Sequence, residues 1–401
     1  MKGLSARVLS TCFSGFALLA AYQEILSAWS SYLVSTPTLE RLEQASRITP
    51  LDSALFRQRG IQYLDTKPEA AGKLLRSAVA MNPFDAESLI ALGLLEESGG
   101  RLQEAESYLS KATSISRRFK PKWALAFFYA RQGPLDQFWN SARAAVNTEG
   151  ADVQPVFALA HEVLKNDPEE VAGLLKLESK QSLKSYVEFL LNQESTSNLG
   201  RIALRLDISP ESRPLLLTAV DRLIGENRPE EAMPLWNKLA ATSGNRQLLP
   251  AKGQSLTNGQ FRPPLTRGFD WRQSENQGID LFAAAPENLR IEFSGRQSES
   301  VTLLSQFVPV VPNRPYKLSY RYHTSGLNGL TGLYWQAFQA NKPATLPSAP
   351  LDLVSEGSDS LSFRTEPDTK LLRIEFKYTR PPGAMRLAGT VVLRSAELEL
   401  L

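Results

Sequence analysis

Two hydrophobic rhythms follow one another along the chain. From Asp52 to Val146 apolar residues recur at helical spacing, and the pattern returns after 34 residues: Leu55, Leu89 and Trp123 stand at that step and Phe157 continues it. Ala71, Leu75 and Ala78 recur as Ala105, Leu109 and Ala112, with Pro83 after the first set and Gly93 where a small residue lets two helices touch. The turn around Gly133 and Pro134 is expected to be one residue shorter than its counterpart. Beyond Pro168 the register fades, since Gly173 and Lys180 occupy offsets where earlier units carry alanine. Helical periodicity persists through Tyr186, Phe189 and Leu190, then Ile202, Leu204 and Leu206. It sharpens again at Leu216, Val220 and Leu223, followed by Ala232, Trp236 and Leu239. Near Ser243 the rhythm changes. Leu289, Ile291 and Phe293 alternate with Arg290 and Glu292, and Leu372, Ile374, Phe376 and Tyr378 alternate with Arg373, Glu375 and Lys377. That is the period of a strand with one buried face.

The 34-residue pattern resembles the tetratricopeptide repeat, a helix-turn-helix unit. A single helix pair cannot cover its own apolar face, so small residues at the crossing and large ones beside it let the next pair stack and extend the core. The resemblance implies an α-solenoid over residues 37–243 with a degenerate middle, Thr36 to Ile48 serving as a lead-in helix. Trp123 and Trp236 are then expected in the cores of their repeats.

Gly244, Asn245, Pro250 and Gly253 mark a linker, taken as residues 244–257. Residues 258–401 read as an antiparallel β-sandwich, because alternating runs are separated by proline- and glycine-rich turns. Within it, Asn258-Gly259-Gln260-Phe261, Gly268-Phe269-Asp270-Trp271, Gln306 before a strand, the turn through Pro312 into Tyr316-Lys317-Leu318, and the closing strand Gly389 to Leu398 are similar to galactose-binding-like jelly rolls. Among these they most resemble carbohydrate-binding modules found beside xylanases. The motifs imply the fold more firmly than a sugar, and the loops from Gln339 to Ser355 look specific to this chain. The fold class is therefore α plus β in two domains.

Sugar binding requires flat apolar rings against pyranose faces and fixed polar groups for the hydroxyls, so a site should lie on the polar side of a strand. In the strand Lys317 to His323, Leu318, Tyr320 and Tyr322 take the core side, leaving Arg321 and His323 outside. In the strand from Thr331, Trp335 shares a side with Thr331 and Gln339, while Tyr334, Gln336 and Phe338 take the other. Trp335, Arg321, His323, Arg373 and Glu375 are the candidate glycan-binding set. The competing reading is that this face is solvated or packs against the last helices. Trp271 is expected in the sandwich core.

At the N-terminus, Lys2 and Arg7 precede an apolar run from Val8 to Tyr22, and a second apolar patch reaches Val34. Residues 1–35 have the layout of an export signal or membrane anchor. An uncleaved inner-membrane anchor facing the periplasm is the first expectation, with cleavage into the periplasm and a buried N-terminal helix as alternatives. Cys12 follows too little of the apolar run for a lipoprotein signal. It is also the single cysteine, which excludes an internal disulfide and a cysteine-based metal cage.

Hydrophobic residues make up 42% and charged residues 22%, and the net charge is +3. Interspersed charges of that balance do not point to nucleic acid. The two histidines, His161 and His323, stand in no metal-ligand spacing. No nucleophile elbow, triad or phosphate loop occurs. Adjacent acids such as Glu96 and Glu97, Glu169 and Glu170, or Glu230 and Glu231 point apart on a helix and suit helix ends or solvated faces. The basic run Arg117, Arg118, Lys120 and Lys122 reads as a solvated turn. The sequence thus predicts a non-enzymatic chain without cofactor or metal. It is expected to be a membrane-associated scaffold holding a partner protein in its helical groove and a glycan on its jelly roll, in envelope or exopolysaccharide assembly. The alternative is a lectin-like polysaccharide binder with the solenoid as spacer.

Overall fold

The computed structural model describes all residues except 1–19, 36, 166, 195–196, 244–245, 263–266, 285–287, 328–329, 340–344 and 352–355. Most of the expected signal segment, Cys12 included, and much of the stretch from Gln339 to Ser355 lie outside the described residues. Contacts divide the chain into two compact units, one of residues 1–166 and 170–176, the other of 167–169 and 177–401. Helices give way to strands after Ser243, as the change of rhythm predicts, but the last helices belong to the same compact unit as the strands.

In the first unit, residues 20–35 form helix α1, and α2 (Leu39–Ile48) is capped by the Thr38 side chain. Three helix pairs follow: α3 (Ser53–Gln62) with α4 (Pro68–Met81), α5 (Ala86–Ser98) with α6 (Leu102–Ile115), and α7 (Phe119–Gln132) with α8 (Leu135–Val146). Asp52 and Asp85 start the first helices of the first two pairs by accepting backbone N–H groups from the opening turn, the usual remedy for orphan donors there. At Gly93 an added Cβ would lie 2.6 Å from Leu109 Cγ, and at Gly60 it would lie 2.7 Å from Leu75 Cγ. Small residues at these crossings are therefore obligatory.

The repeat step differs between the two helices of each pair. The second helices of the first two pairs start at 68 and 102, which is the 34-residue step of the alanines, whereas the first helices start at 53, 86 and 119, a step of 33. Gly60, Gly93 and Ala126 stand at that shorter step and all are buried. The connection between pairs absorbs the difference, shrinking from residues 82–85 to 116–118, and the turn at 133–134 is one residue shorter than its counterpart at 99–101. Trp123 consequently aligns with Ile90 rather than with the core residue Leu89. Trp123 is half-buried and stacks between Phe119 and Phe127 at 6.3 and 5.5 Å, which corrects its expected core placement. Glu96 also departs from expectation: it is buried and ion-paired with Arg76 and Arg101 instead of lying on a solvated face. Lys120 reaches Glu87 and Lys122 reaches Thr148, so part of the basic run ties repeat elements together. Helix α9 (Gln154–Val163) follows, with Phe157 buried.

In the second unit, α11 (Lys180–Leu191), α12 (Leu199–Ala203), α13 (Arg213–Gly225) and α14 (Pro229–Ser243) precede the strands, the short α10 (Pro168–Leu174) spanning the unit boundary. Asp221 on α13 receives three bonds from the segment that leads into the sandwich: Arg267 Nε at 2.8 Å, the Gly268 N–H at 2.8 Å and Arg272 Nη2 at 2.7 Å. Trp236 on α14, buried as expected, meets Phe269 edge-on at 6.0 Å. Gly268 has φ of +66°, and a Cβ there would come within 2.8 Å of the Trp236 ring. A mount of charged hydrogen bonds around one aromatic pair thus fixes the entry to the sandwich.

The strands are β1 (Arg272–Gln273), β2 (Ile279–Ala284), β3 (Asn288–Ser294), β4 (Ser300–Pro309), β5 (Pro315–Ser325), β6 (Leu333–Gln339), β7 (Thr345–Pro350), β8 (Gly357–Arg364), β9 (Leu371–Thr379) and β10 (Ala388–Leu400). They form two five-stranded antiparallel sheets in the orders β1-β4-β9-β6-β7 and β2-β3-β10-β5-β8. Only the β2-β3 and β6-β7 connections stay within one sheet; every other connection crosses to the opposite sheet, giving the jelly roll. Between the sheets one core gathers Trp271, Trp335, Tyr316, Tyr320, Phe376 and Tyr378, all fully buried. The Asn258-Gly259 motif serves this core. The Asn258 amide bonds Arg262 O and Asp270 Oδ1, its carbonyl accepts Trp271 Nε1, and the Gly259 carbonyl accepts the Ala396 N–H. A Cβ at Gly259 would strike the Ala396 oxygen at 2.2 Å.

Candidate functional site

The pairing of β6 with β9 decides which side chains can meet a ligand. Leu333, Trp335 and Ala337 stand opposite Tyr378, Phe376 and Ile374. These are the apolar stripes of the two strands, so they face inward together. Trp335 is fully buried, with its ring 4.9 Å from Phe376 and 5.7 Å from both Trp271 and Tyr320. It is a core residue and cannot stack on a sugar, which corrects its candidacy. Thr331 and Gln339, whose polarity suggested an outward side, are buried too, and Thr331 Oγ1 donates to Leu351 O.

The other candidates do not form one face either. Arg321 and His323 lie on the outside of the β2-β3-β10-β5-β8 sheet. There Arg321 Nε donates to Ser395 Oγ at 3.0 Å, and His323 stands 3.8 Å from Glu356, which also pairs with Arg394. Arg373 and Glu375 lie on the outside of the opposite sheet. Strand alternation gives two sides to each strand but does not say which strands share a sheet.

Around Arg373 and Glu375 the register builds a three-by-three field across β4, β9 and β6. One row is Phe307, Arg373 and Phe338; the next is Ser305, Glu375 and Gln336; the third is Thr302, Lys377 and Tyr334. Strands spaced about 4.8 Å apart place the members of each row in contact distance. Arg272 extends the middle row beyond Ser305. The guanidinium carbons of Arg272 and Arg373 lie 4.9 and 5.8 Å from the Phe307 centroid, and Lys377 Nζ lies 5.7 Å from that of Phe338. Each cation over a ring is a favourable pairing with the ring quadrupole. Glu375 is buried beneath them, 2.9 Å from Arg373 Nε and 3.7 Å from Lys377 Nζ. Tyr334 shares a 3.2 Å hydrogen bond with Thr379 Oγ1.

This field combines half-exposed rings with ion-paired polar groups. Of this field the sequence candidates include Arg373 and Glu375, and not Phe307, Tyr334, Gln336, Phe338, Lys377 or Arg272. The signal was available in β6: Leu333, Trp335 and Ala337 are uniformly apolar, whereas Tyr334, Gln336 and Phe338 mix rings with an amide.

A second aromatic surface lies in the first unit. Phe119, Trp123 and Phe127 make a ladder along α7, and Arg131 caps it with its guanidinium carbon 4.0 Å from the Phe127 centroid. Arg131 and Gln132 both bond Glu97, which holds the end of the ladder to α5. Phe127 is exposed and Leu94 on α5 is as well.

Among the described residues no group of three or more His, Cys, Asp or Glu side chains is arranged to hold a metal ion. Asp270, close to the entry of the sandwich, has its carboxyl pushed up to about 6 by burial, against the lowering effect of the Asn258 and Trp271 hydrogen bonds.

No protein-family model and no curated protein matches the chain. Solved structures do. A family 4 carbohydrate-binding module is similar over 36% of this chain and 98% of its own, at 12% identity and TM-score 0.29. Pseudomonas aeruginosa pilF is similar over 48% of this chain and 92% of its own, at 16% identity and TM-score 0.28. The module TmCBM61, solved with beta-1,4-galactotriose, is similar over 39% of this chain and 99% of its own, at 16% identity and TM-score 0.24. Identities this low concern the fold alone.

Proposed function

We propose that the chain is a non-catalytic adaptor that holds a partner protein with its helical repeats and a glycan with its jelly roll. The observation that carries the reading is the outer field of β4, β9 and β6, where Phe307, Phe338 and Tyr334 accompany Arg373 and Lys377, which Glu375 holds by ion pairs along β9. A solvated sheet face needs no aromatic residues at three of nine positions; a pyranose-binding face does. On the helical side, the Phe119-Trp123-Phe127 ladder supplies the aromatic anchors that dominate protein contacts.

The proposed setting is the outer side of a bacterial inner membrane, in envelope or exopolysaccharide assembly. Its support is the charged and apolar N-terminal sequence together with α1, which exposes Tyr22, Ile25, Trp29 and Tyr32. Tyrosine and tryptophan on an apolar helix suit the membrane-water interface. Among the described residues no helix is long and apolar enough to cross a membrane.

Affinity electrophoresis through gels containing soluble polysaccharides tests the glycan arm. Retardation of the full chain that is lost in Phe338→Ala supports the reading; no retardation in any gel refutes it. The lectin-like alternative, with the helices as spacer, is favoured by the fixed Asp221 mount between α13 and the sandwich entry. Partner capture from membranes that drops in Trp123→Ala selects the adaptor, and capture unaffected by that change selects the lectin.

A further inference from the structure

The outer field of β4, β9 and β6 is biased in charge. Glu375 is its one carboxylate, and that side chain is only 6% exposed, whereas those of Arg373 and Lys377 above it are 42% and 22% exposed. Arg272 at the edge is 33% exposed. Solvent therefore meets the cations and not the acid that holds them. Counting the rim, four cations (Arg267, Arg272, Arg373 and Lys377) stand against two carboxylates, Asp221 and Glu375. The excess of two positive charges sits on a half-covered surface where screening is incomplete.

Hydrogen-bonding chemistry points the same way. Arginine and lysine heads are donors only. Ser305 and Gln336, which offer acceptors, are buried between them. A neutral sugar hydroxyl both donates and accepts, so a face presenting mostly donors leaves it half satisfied. A ligand group that only accepts, with negative charge, fits better and makes the stronger charge-assisted bond. Burial lowers the pKa of Arg272 against the opposing charge of Asp221, and Arg373 and Arg267 lower it further, so an anion placed beside it would favour its charged form.

We propose that this face binds an acidic polysaccharide, pairing sugar carboxylates with Arg373, Lys377 and Arg272 while pyranose rings rest on Phe338 and Tyr334. Arg373 and Lys377 are four residues apart on β9, but both heads converge on Glu375, at 2.9 and 3.7 Å, so they can meet the same sugar carboxylate. The rings distinguish this from a general anion site, because Phe338 and Tyr334 contribute nothing to a polymer without flat apolar faces. Glu375 acts as a positioning residue that draws the two cationic heads together. The inference rests on the glycan-binding reading of the same face and adds the charge class of the ligand.

The test uses the full chain with soluble polygalacturonate, the same polymer after reduction of its carboxyl groups to alcohols, and polyphosphate as an anion without sugar rings. Expected are at least tenfold tighter binding of polygalacturonate than of its reduced form, binding that weakens as salt rises, and loss of that preference in Arg373→Gln/Lys377→Gln. Phe338→Ala should weaken binding of both the acidic and the reduced polymer. Equal binding of the two polymers overturns the proposal and leaves the glycan reading standing. Binding of neither overturns both. Polyphosphate binding as tight as polygalacturonate, unaffected by Phe338→Ala, overturns the proposal in favour of a non-specific cationic surface. Comparing two polymers on the unaltered protein keeps the result independent of whether any variant folds.

Discussion

Replacing Trp335 separates a core role from a binding role, and the two replacements Trp335→Ala and Trp335→Phe should behave very differently. The indole is fully buried among Trp271, Tyr320 and Phe376. Truncation to alanine removes most of that packing and leaves a cavity, a change worth about 3–5 kcal/mol. Phenylalanine deletes two carbons and the ring nitrogen. The two carbons cost roughly 1.6 kcal/mol at about 0.8 kcal/mol each. Against this stands the nitrogen: Nε1 is buried with no hydrogen-bond partner among the described residues. An unpaired buried donor costs about 1–3 kcal/mol, which phenylalanine recovers. The net change for Trp335→Phe should therefore lie within about 1 kcal/mol of zero. Amide hydrogen exchange of β9 and β10, followed against urea by mass spectrometry, reads the stability of the sandwich without relying on tryptophan emission. Polysaccharide binding by either variant, measured where the sandwich is folded, should match the parent protein. A loss as large for phenylalanine as for alanine would mean that the indole N–H is paired. Unchanged exchange in Trp335→Ala with weakened binding would return Trp335 to the ligand face and refute the core assignment.

Three further outcomes follow from the same structure. Asp270 is raised from 3.8 to about 6 in the folded state, so the folded chain holds this proton more tightly than the unfolded one. Its contribution favours folding below about pH 4 and declines as pH rises to about 6, an effect of order 2–3 kcal/mol; Asp270→Asn should flatten the pH dependence of the urea midpoint over that window and raise the midpoint at pH 7.5. Asp221→Ala removes three bonds at the sandwich entry, two to partly exposed arginines and one to a backbone N–H, and should cost about 2–3 kcal/mol after discounting for exposure. Limited proteolysis between residues 244 and 271 should then accelerate, and an unchanged rate would show the mount to be dispensable. Gly93→Ala places a Cβ 2.6 Å from Leu109 and should lower the helical melting transition, overpacking of this kind costing about 1–3 kcal/mol, whereas Gly173→Ala, in open surroundings, meets no such contact.

Much of the fold could be read from local sequence because helix and strand periods are local properties. Ala71, Leu75 and Ala78 with their repeats located the second helices, and the alternation in β9 located a strand with one buried side. The inward placement of Leu318, Tyr320 and Tyr322, and of Trp271, followed from the same patterns. The sequence also determined that the chain changes architecture near Ser243. Three matters were decided only in three dimensions. The 33-residue step of the first helices depends on turn lengths, and it moved Trp123 from the core to a half-buried position. Which strands share a sheet depends on pairing between distant segments, and it placed Arg321 and His323 on one sheet and Arg373 and Glu375 on the other. Which side of β6 is buried depends on the strand beside it: Phe376 claims Trp335 for the core, because an apolar stripe loses most by facing water and a neighbouring stripe is there to cover it.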